Sequence, residues 1–159
     1  MYRNMKEYFT RLFKYNDWAN DLILDTLSKN PNIKDPDVYK IFSHVINAQF
    51  IWMSRITGNK EIHKPVWSLH GLEDLKKFSK ESTKLWLAYL SKLDDKELGR
   101  SISYSNSEGQ SFSNTVLDML PHIVNHASYH RGQVNKLIRR EGFAVNNTDY
   151  ITWRRVVKD

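Results

Sequence analysis

Three of the six histidines in this chain have a spacing at which their side chains could bind one metal ion. His126 and His130 are four residues apart, so on a helix they project from the same face, one turn apart. His44 lies far upstream and could supply a third imidazole from a facing helix. Three imidazole ligands leave coordination positions open for water or a substrate. The sequence therefore predicts a metal site formed by His44, His126 and His130.

A second pairing in the same segment would use His122 and His126. His122 and His130 cannot share an ion, because two helical turns separate them by about 12 Å, whereas ligand nitrogens lie about 2.0–2.1 Å from zinc. His130 falls in register with an apolar seam that includes Ala127, whereas His122 directly follows Pro121, which should distort the helix. The seam register favours the pair His126 and His130 and leaves His122 with a structural or ligand-orienting role.

Four long helices are predicted from the recurrence of apolar residues at helical spacing. The second has the clearest limits, because Asp35 is a good N-cap, Pro36 fits the first helical position and Gly58 stops the helix. In this helix His44 aligns with the apolar stripe, so it should face the core or a cleft. Alone, it could equally be a core histidine that is hydrogen-bonded to the backbone. The other three helices are predicted at about 8–28, 72–93 and 114–140.

The connections complete an all-α fold, namely an antiparallel four-helix bundle with a crossover connection. Residues 59–70 form a loop, in which His63 and His70 should be exposed or line a cleft. A short β-hairpin is predicted over 101–113, before the last long helix, and a short helix or extended tail over 148–157. We expect residues 1–159 to form a single domain. The three histidines can meet if the second and fourth long helices are neighbours.

Composition narrows the possible functions. The chain has 159 residues, no cysteine and a formal net charge of +6. It therefore lacks disulfides, thiolate ligands and a thiol nucleophile of its own. No apolar run is long enough to span a membrane and the N-terminal residues lack a signal-peptide core, so we expect a cytoplasmic protein. The basic residues are scattered, which is typical of a solvated surface, and nucleic-acid binding is not favoured.

Residues around the histidines have structural interpretations. Arg131 is expected to form a salt bridge or a dimer contact rather than to bind substrate, because it points away from His130. Gln133 could orient one of the metal-binding histidines by a hydrogen bond. Tyr129 and Trp52 are expected to pack in the core.

Residues 125–133, NHASYHRGQ, resemble the signature of the DinB family of damage-inducible, metal-binding helical bundles. Residues 15–20, the combination of His44 with Trp52, and residues 149–154 resemble other segments of that family in the same order. The resemblance covers nearly the whole chain. It implies a four-helix bundle, a homodimer, and a divalent metal ion, often nickel or zinc, bound by His44, His126 and His130.

The wider superfamily that the chain resembles includes transferases and isomerases that use a low-molecular-weight thiol. The leading hypothesis is therefore a metal-dependent enzyme, namely a thiol-dependent transferase or a related activity on a small-molecule substrate. A metal-dependent hydrolase is one alternative, because a bound metal also activates water. The other is a non-catalytic metal-binding module with a structural or stress-response role.

Overall fold

The structure, a computed structural model, describes residues 5–106 and 108–157. It is mostly helical, with one small antiparallel sheet. The elements in chain order are α1 (Met5–Lys29), α2 (Pro36–Thr57), α3 (Leu72–Leu90), α4 (Asp95–Leu98), β1 (Ser101–Ser105), β2 (Ser111–Thr115), α5 (Val116–Arg140) and α6 (Tyr150–Val156). Within the described residues, no helix is long and apolar enough to cross a membrane.

The limits of α2 follow the prediction. The Asp35 carboxylate accepts a hydrogen bond from the backbone N–H of Asp37 and so caps the first turn. Pro36 fits this turn because it has no backbone N–H that needs an acceptor. Gly58 adopts a left-handed conformation (φ 74°) that ends the helix, and its N–H donates to the carbonyl of Ser54. These local signals fix where α2 begins and ends, and therefore the position of His44 along it.

The hairpin is also confirmed, with β1 paired to β2 over its full length. β2 extends to Thr115, so α5 begins at Val116 rather than at the predicted position 114. Thr115 and Asp118 form a capping box, in which each side chain accepts a hydrogen bond from the other residue's backbone N–H. This reciprocal cap stabilises the helix start directly after the strand.

Two short helices lie in segments where none was predicted. A 3-10 turn, Lys60–Ile62, lies within the predicted loop, and α3 ends at Leu90, three residues early, before the single turn of α4. Asp94 caps α4 by accepting from the N–H of Glu97. Elements of one turn are too short to produce a periodic apolar pattern, which explains why sequence reasoning missed them.

The long helices pack so that α2 and α5 are neighbours, as the metal-site prediction requires. α2 packs chiefly against α5 and α1 against α3, while α1 also contacts α5 and α2 also contacts α3. Large buried side chains such as Trp86 and Phe13 fill one part of the core, and Phe42, Phe50 and Leu75 fill another. The resulting α2–α5 interface carries the three histidines.

Candidate metal centre

The structure brings His44 of α2 together with His126 and His130 of α5. One ring nitrogen from each lies within 4.8 Å of the other two. The Nε2 atoms of His44 and His126 are 3.1 Å apart, and the ring centroids of the three imidazoles are 4.5–4.9 Å apart. His44 is buried, with 9% of its surface exposed, and the other two are half-buried. The three imidazoles thus converge on one point between two helices.

The loop between α2 and α3 orients His44. Nδ1 of His44 lies 3.3 Å from the carbonyl oxygen of Val66 in this loop, so Nδ1–H donates to that oxygen and Nε2 is left free to bind a metal ion. The indole ring of Trp67 stacks on the imidazole at 4.5 Å, with 19° between the planes. The loop therefore fixes both the plane and the tautomer of His44, as the outer partners of metal-binding histidines commonly do.

This loop is tied to α2 through the buried side chain of Asn47. The Asn47 amide donates to the carbonyl of Ser68 at 2.8 Å, and its Oδ1 accepts from Nε2–H of His70 at 2.7 Å. The hydroxyl of Ser43 accepts from the backbone N–H of His70 at 3.0 Å. His70 thus lies in the loop, as predicted. Its hydrogen bonds to Ser43 and Asn47 hold the loop that orients His44.

Gln133 orients His130, as the sequence indicated it could. The Oε1 atom of Gln133 lies 2.7 Å from Nδ1 of His130 and accepts a hydrogen bond from Nδ1–H. This hydrogen bond places the lone pair of His130 on Nε2. Two of the three imidazoles are thereby held in the tautomer that offers Nε2 as a ligand atom.

Burial favours the neutral, metal-binding form of His44 and His126. The pKa of His126 is lowered to about 3, chiefly by burial and also by the charges that His130, His44 and His122 would carry. The pKa of His44 is also lowered, chiefly by burial, and this effect is opposed by the hydrogen bond that His44 donates to the carbonyl of Val66. At neutral pH, protons therefore compete little with a cation for His44 and His126.

The separation of the two Nε2 atoms fits a shared ion. Two nitrogens about 2.0–2.1 Å from one metal, at an angle of about 90–109°, are separated by about 2.8–3.4 Å. The observed separation of 3.1 Å lies within this range. Three neutral nitrogen donors without a thiolate or carboxylate are a set that zinc, nickel and copper all accept. The residues present therefore fit a divalent transition-metal ion.

An open cleft of about 460 Å³ adjoins the histidines and is large enough for a small molecule. Its lining combines apolar, aromatic and basic side chains, and no carboxylate lies among its lining residues. These are His44, Ala48, Ile51, Trp52, Arg55, His63, Val66, Ser105, Asn106, His122 and His126. A cavity of this composition favours a small anionic or electron-rich ligand.

The other predicted histidines are separate from the cluster. His122 lies one turn before His126, with its ring 5.6 Å from that of His126 and packed edge-on against Trp52. It lines the cleft but is not part of the convergent group. His63 is exposed and also lines the cleft.

The interpretation of Arg131 was wrong. Arg131 is completely buried within the chain, where Asn16, Asn20 and Ser128 accept hydrogen bonds from its guanidinium. It therefore cannot form a dimer contact, and the ion pairs among the described residues do not include it. Arg131 occupies the seam position that the sequence analysis gave to His130, because both are at helical spacing from Ala127.

The aromatic predictions met different outcomes. Tyr129 is 67% exposed, so its expected place in the core was wrong. Trp52 packs against the core cluster on one side and lines the cleft on the other. Sequence reasoning missed Val66 and Trp67, which orient His44, and Arg55 in the cleft. The only available signal was the position of Trp67 in a predicted loop, where a large aromatic residue is unusual.

Comparison with known proteins identifies the family of this chain. Protein DinB of Bacillus subtilis (strain 168) is 25% identical to this chain over 162 residues, covering 92% of this chain and 93% of the relative. No solved structure gives a significant match. A model described as the DinB family matches residues 1–156, a range that includes all three histidines. Because that match extends over nearly the whole chain, the protein belongs to the DinB family.

Proposed function

We propose that the protein binds a divalent metal ion, nickel or zinc, through His44, His126 and His130. The observation that carries the proposal is the convergence of three imidazoles, two of which are held with Nε2 free by Val66 and Gln133. Both metals accept imidazole ligands, and the donor set does not choose between them.

Elemental analysis of the purified protein tests the metal site. Wild type should contain about one ion per chain, whereas His126→Ala should lose it, because two ligands bind transition metals far more weakly than three. His63→Ala is the matched control, since it removes an exposed histidine from the same cleft without touching the cluster. Equal metal content in wild type and His126→Ala would refute the assignment.

We propose further that the protein is a metal-dependent transferase that uses a small-molecule thiol. The chain has no cysteine, so a thiol nucleophile must come from a cosubstrate. A divalent ion held by neutral ligands supplies positive charge that lowers the pKa of an incoming thiol. The adjoining cleft has room for the cosubstrate and no carboxylate with which an anion would compete.

His122 is positioned to take up the thiol proton. Its ring lines the cleft with its centroid 5.6 Å from that of His126, and an imidazole can act as a base. The thiol proton would pass to His122, the sulfur would form a bond to an electrophilic carbon, and the leaving group would depart with the bonding electrons. Trp52 and Ile51 would exclude water from one side of this reaction.

Thiol conjugation to an electrophile provides the test of catalysis. Metal-loaded wild type should accelerate the conjugation of a small thiol, and both His126→Ala and treatment with a chelator should abolish the acceleration. His63→Ala should retain it. If the metal is bound but no thiol is consumed, the transferase proposal fails and the non-catalytic module takes its place. In that case a chelator should lower the melting temperature of the protein, and no turnover should be detected with or without the metal.

The packing of α1, α2, α3 and α5 supports a further proposal on architecture, namely an antiparallel four-helix bundle with a crossover connection. We also propose a homodimer. Exposed Tyr129, Trp67 and Leu69 offer apolar area that a second copy could cover. Sedimentation at several protein concentrations would distinguish a dimer from a monomer.

A further inference from the structure

Arg55 lines the histidine cleft, where two aromatic rings lie against its guanidinium. Its Cζ is 4.7 Å from the ring centroid of Trp52 and 4.6 Å from that of Tyr104. One Nη2–H donates to the carbonyl of Ser105 at 3.0 Å, which ties the group to the hairpin. The guanidinium is thus fixed in position at an aromatic-lined edge of the cleft.

No carboxylate in the described part of the chain forms an ion pair with Arg55. A guanidinium has five N–H donors, and the Arg55 hydrogen bond to Ser105 uses only one of them. Arg55 is half-buried, and burial lowers its pKa, which shows that its charge is costly in this position. An arginine with a partly desolvated charge and free donors is suited to bind an oxyanion.

The surroundings of Arg55 are basic on both sides. The histidine cleft also contains His63 and His122, with no carboxylate among its lining residues. A second cleft of about 500 Å³ shares Arg55 and His63 and adds Lys60, again without a carboxylate among its lining residues. Arg55 lines both clefts, so its cationic side chain is available to a ligand in either of them.

We propose that Arg55 is the specificity-determining residue of the site and that the small-molecule thiol carries an oxyanion group, such as a carboxylate, that Arg55 binds. The reacting sulfur would lie at the three histidines, with the apolar middle of the molecule against Ile51 and Trp52. This inference rests on the proposed function for the role of the thiol, whereas the oxyanion site itself does not require a metal.

Paired ligands that differ only in charge test the proposal. Calorimetry on metal-loaded protein would compare a series of ω-mercaptocarboxylates with the ω-mercaptoalcohols of equal length. A charge-assisted hydrogen bond should make the best carboxylate bind about tenfold more tightly than its alcohol. Arg55→Met should remove this preference, and Arg55→Lys should retain part of it. Arg139→Met is the control, because it removes an exposed arginine elsewhere on the surface and should leave the preference unchanged.

Metal-free protein gives a separate result. NMR titration with a simple alkyl carboxylate should shift the Trp52 indole and Arg55 Nε–H resonances, whereas the corresponding alcohol should not. If no metal binds but these shifts occur, the proposed metal function fails and the oxyanion site stands. An equal affinity for thiol acids and thiol alcohols in wild type would overturn the proposal. So would a preference that persists in Arg55→Met, because the carboxylate would then bind the metal rather than Arg55.

Discussion

The buried guanidinium of Arg131 should be one of the largest single contributors to the stability of this protein. Its Nη1 donates to Oδ1 of Asn16 at 2.6 Å and to Oδ1 of Asn20 at 2.8 Å, and its Nη2 donates to the hydroxyl of Ser128 at 3.0 Å. Both asparagines are on α1, so these bonds join α1 to the turn of α5 that carries His130. Arg131→Met retains most of the side-chain volume but removes every donor.

The magnitude follows from the oxygens that are left without donors. Asn16 and Asn20 are both buried, and an unsatisfied buried acceptor costs about 1–3 kcal/mol. Burial lowers the pKa of the Arg131 guanidinium, because burying its charge costs free energy. Arg131→Met avoids this cost, which offsets part of the loss. We therefore expect Arg131→Met to reduce the free energy of unfolding by about 3 kcal/mol.

Urea unfolding of metal-free protein, followed by circular dichroism, measures this difference. Arg139→Met, an exposed arginine on the same helix, should change the free energy of unfolding by less than about 0.5 kcal/mol. Asn16→Ala combined with Arg131→Met should be less destabilising than the two single changes together, because each removes the same hydrogen bond. A loss in Arg131→Met no larger than in Arg139→Met would refute the reasoning.

Two further predictions concern hydrogen bonds to carboxylate and amide oxygens. Gln133→Leu removes the acceptor for His130 and should weaken metal binding about 10–100-fold in a competition assay with a chromophoric chelator; unchanged affinity would show that the bond does not orient the ligand. The carboxylate of Glu141 accepts from the backbone N–H groups of Lys34 and Asp35, which lowers its pKa below the ordinary value of 4.5. The stabilising effect of the Glu141 carboxylate should therefore be complete above pH 4.5 and be lost as the pH falls through the lower folded-state pKa. Unfolding midpoints measured from pH 6 to pH 3 should consequently decline less steeply in Glu141→Gln than in wild type.

Much of the site could be predicted because its signals are local. The four-residue spacing of His126 and His130 places them on one face of any helix, and the capping residues of α2 fix the limits of the helix that carries His44. Gln133 is three residues after His130, so its contact with that imidazole also follows from helix geometry.

The choice between His130 and Arg131 as the buried residue was not decided by spacing. Both fit a helical repeat from Ala127, and a charged residue is normally placed outside the core. Packing against α1 reversed this expectation, because Asn16 and Asn20 provide acceptors for a buried guanidinium. Those acceptors are more than a hundred residues away in the chain, so the sequence pattern of α5 contains no trace of them.

The sequence by itself determined the long helices, the hairpin and the residues whose chemistry fits a metal ion, because each depends on neighbours within a few positions. The tertiary structure decided which histidines meet, how Val66 and Trp67 orient His44, and where Arg55 lies relative to the cleft. These relations join residues from different elements. Their distances depend on how the helices and loops pack, which no local periodicity specifies.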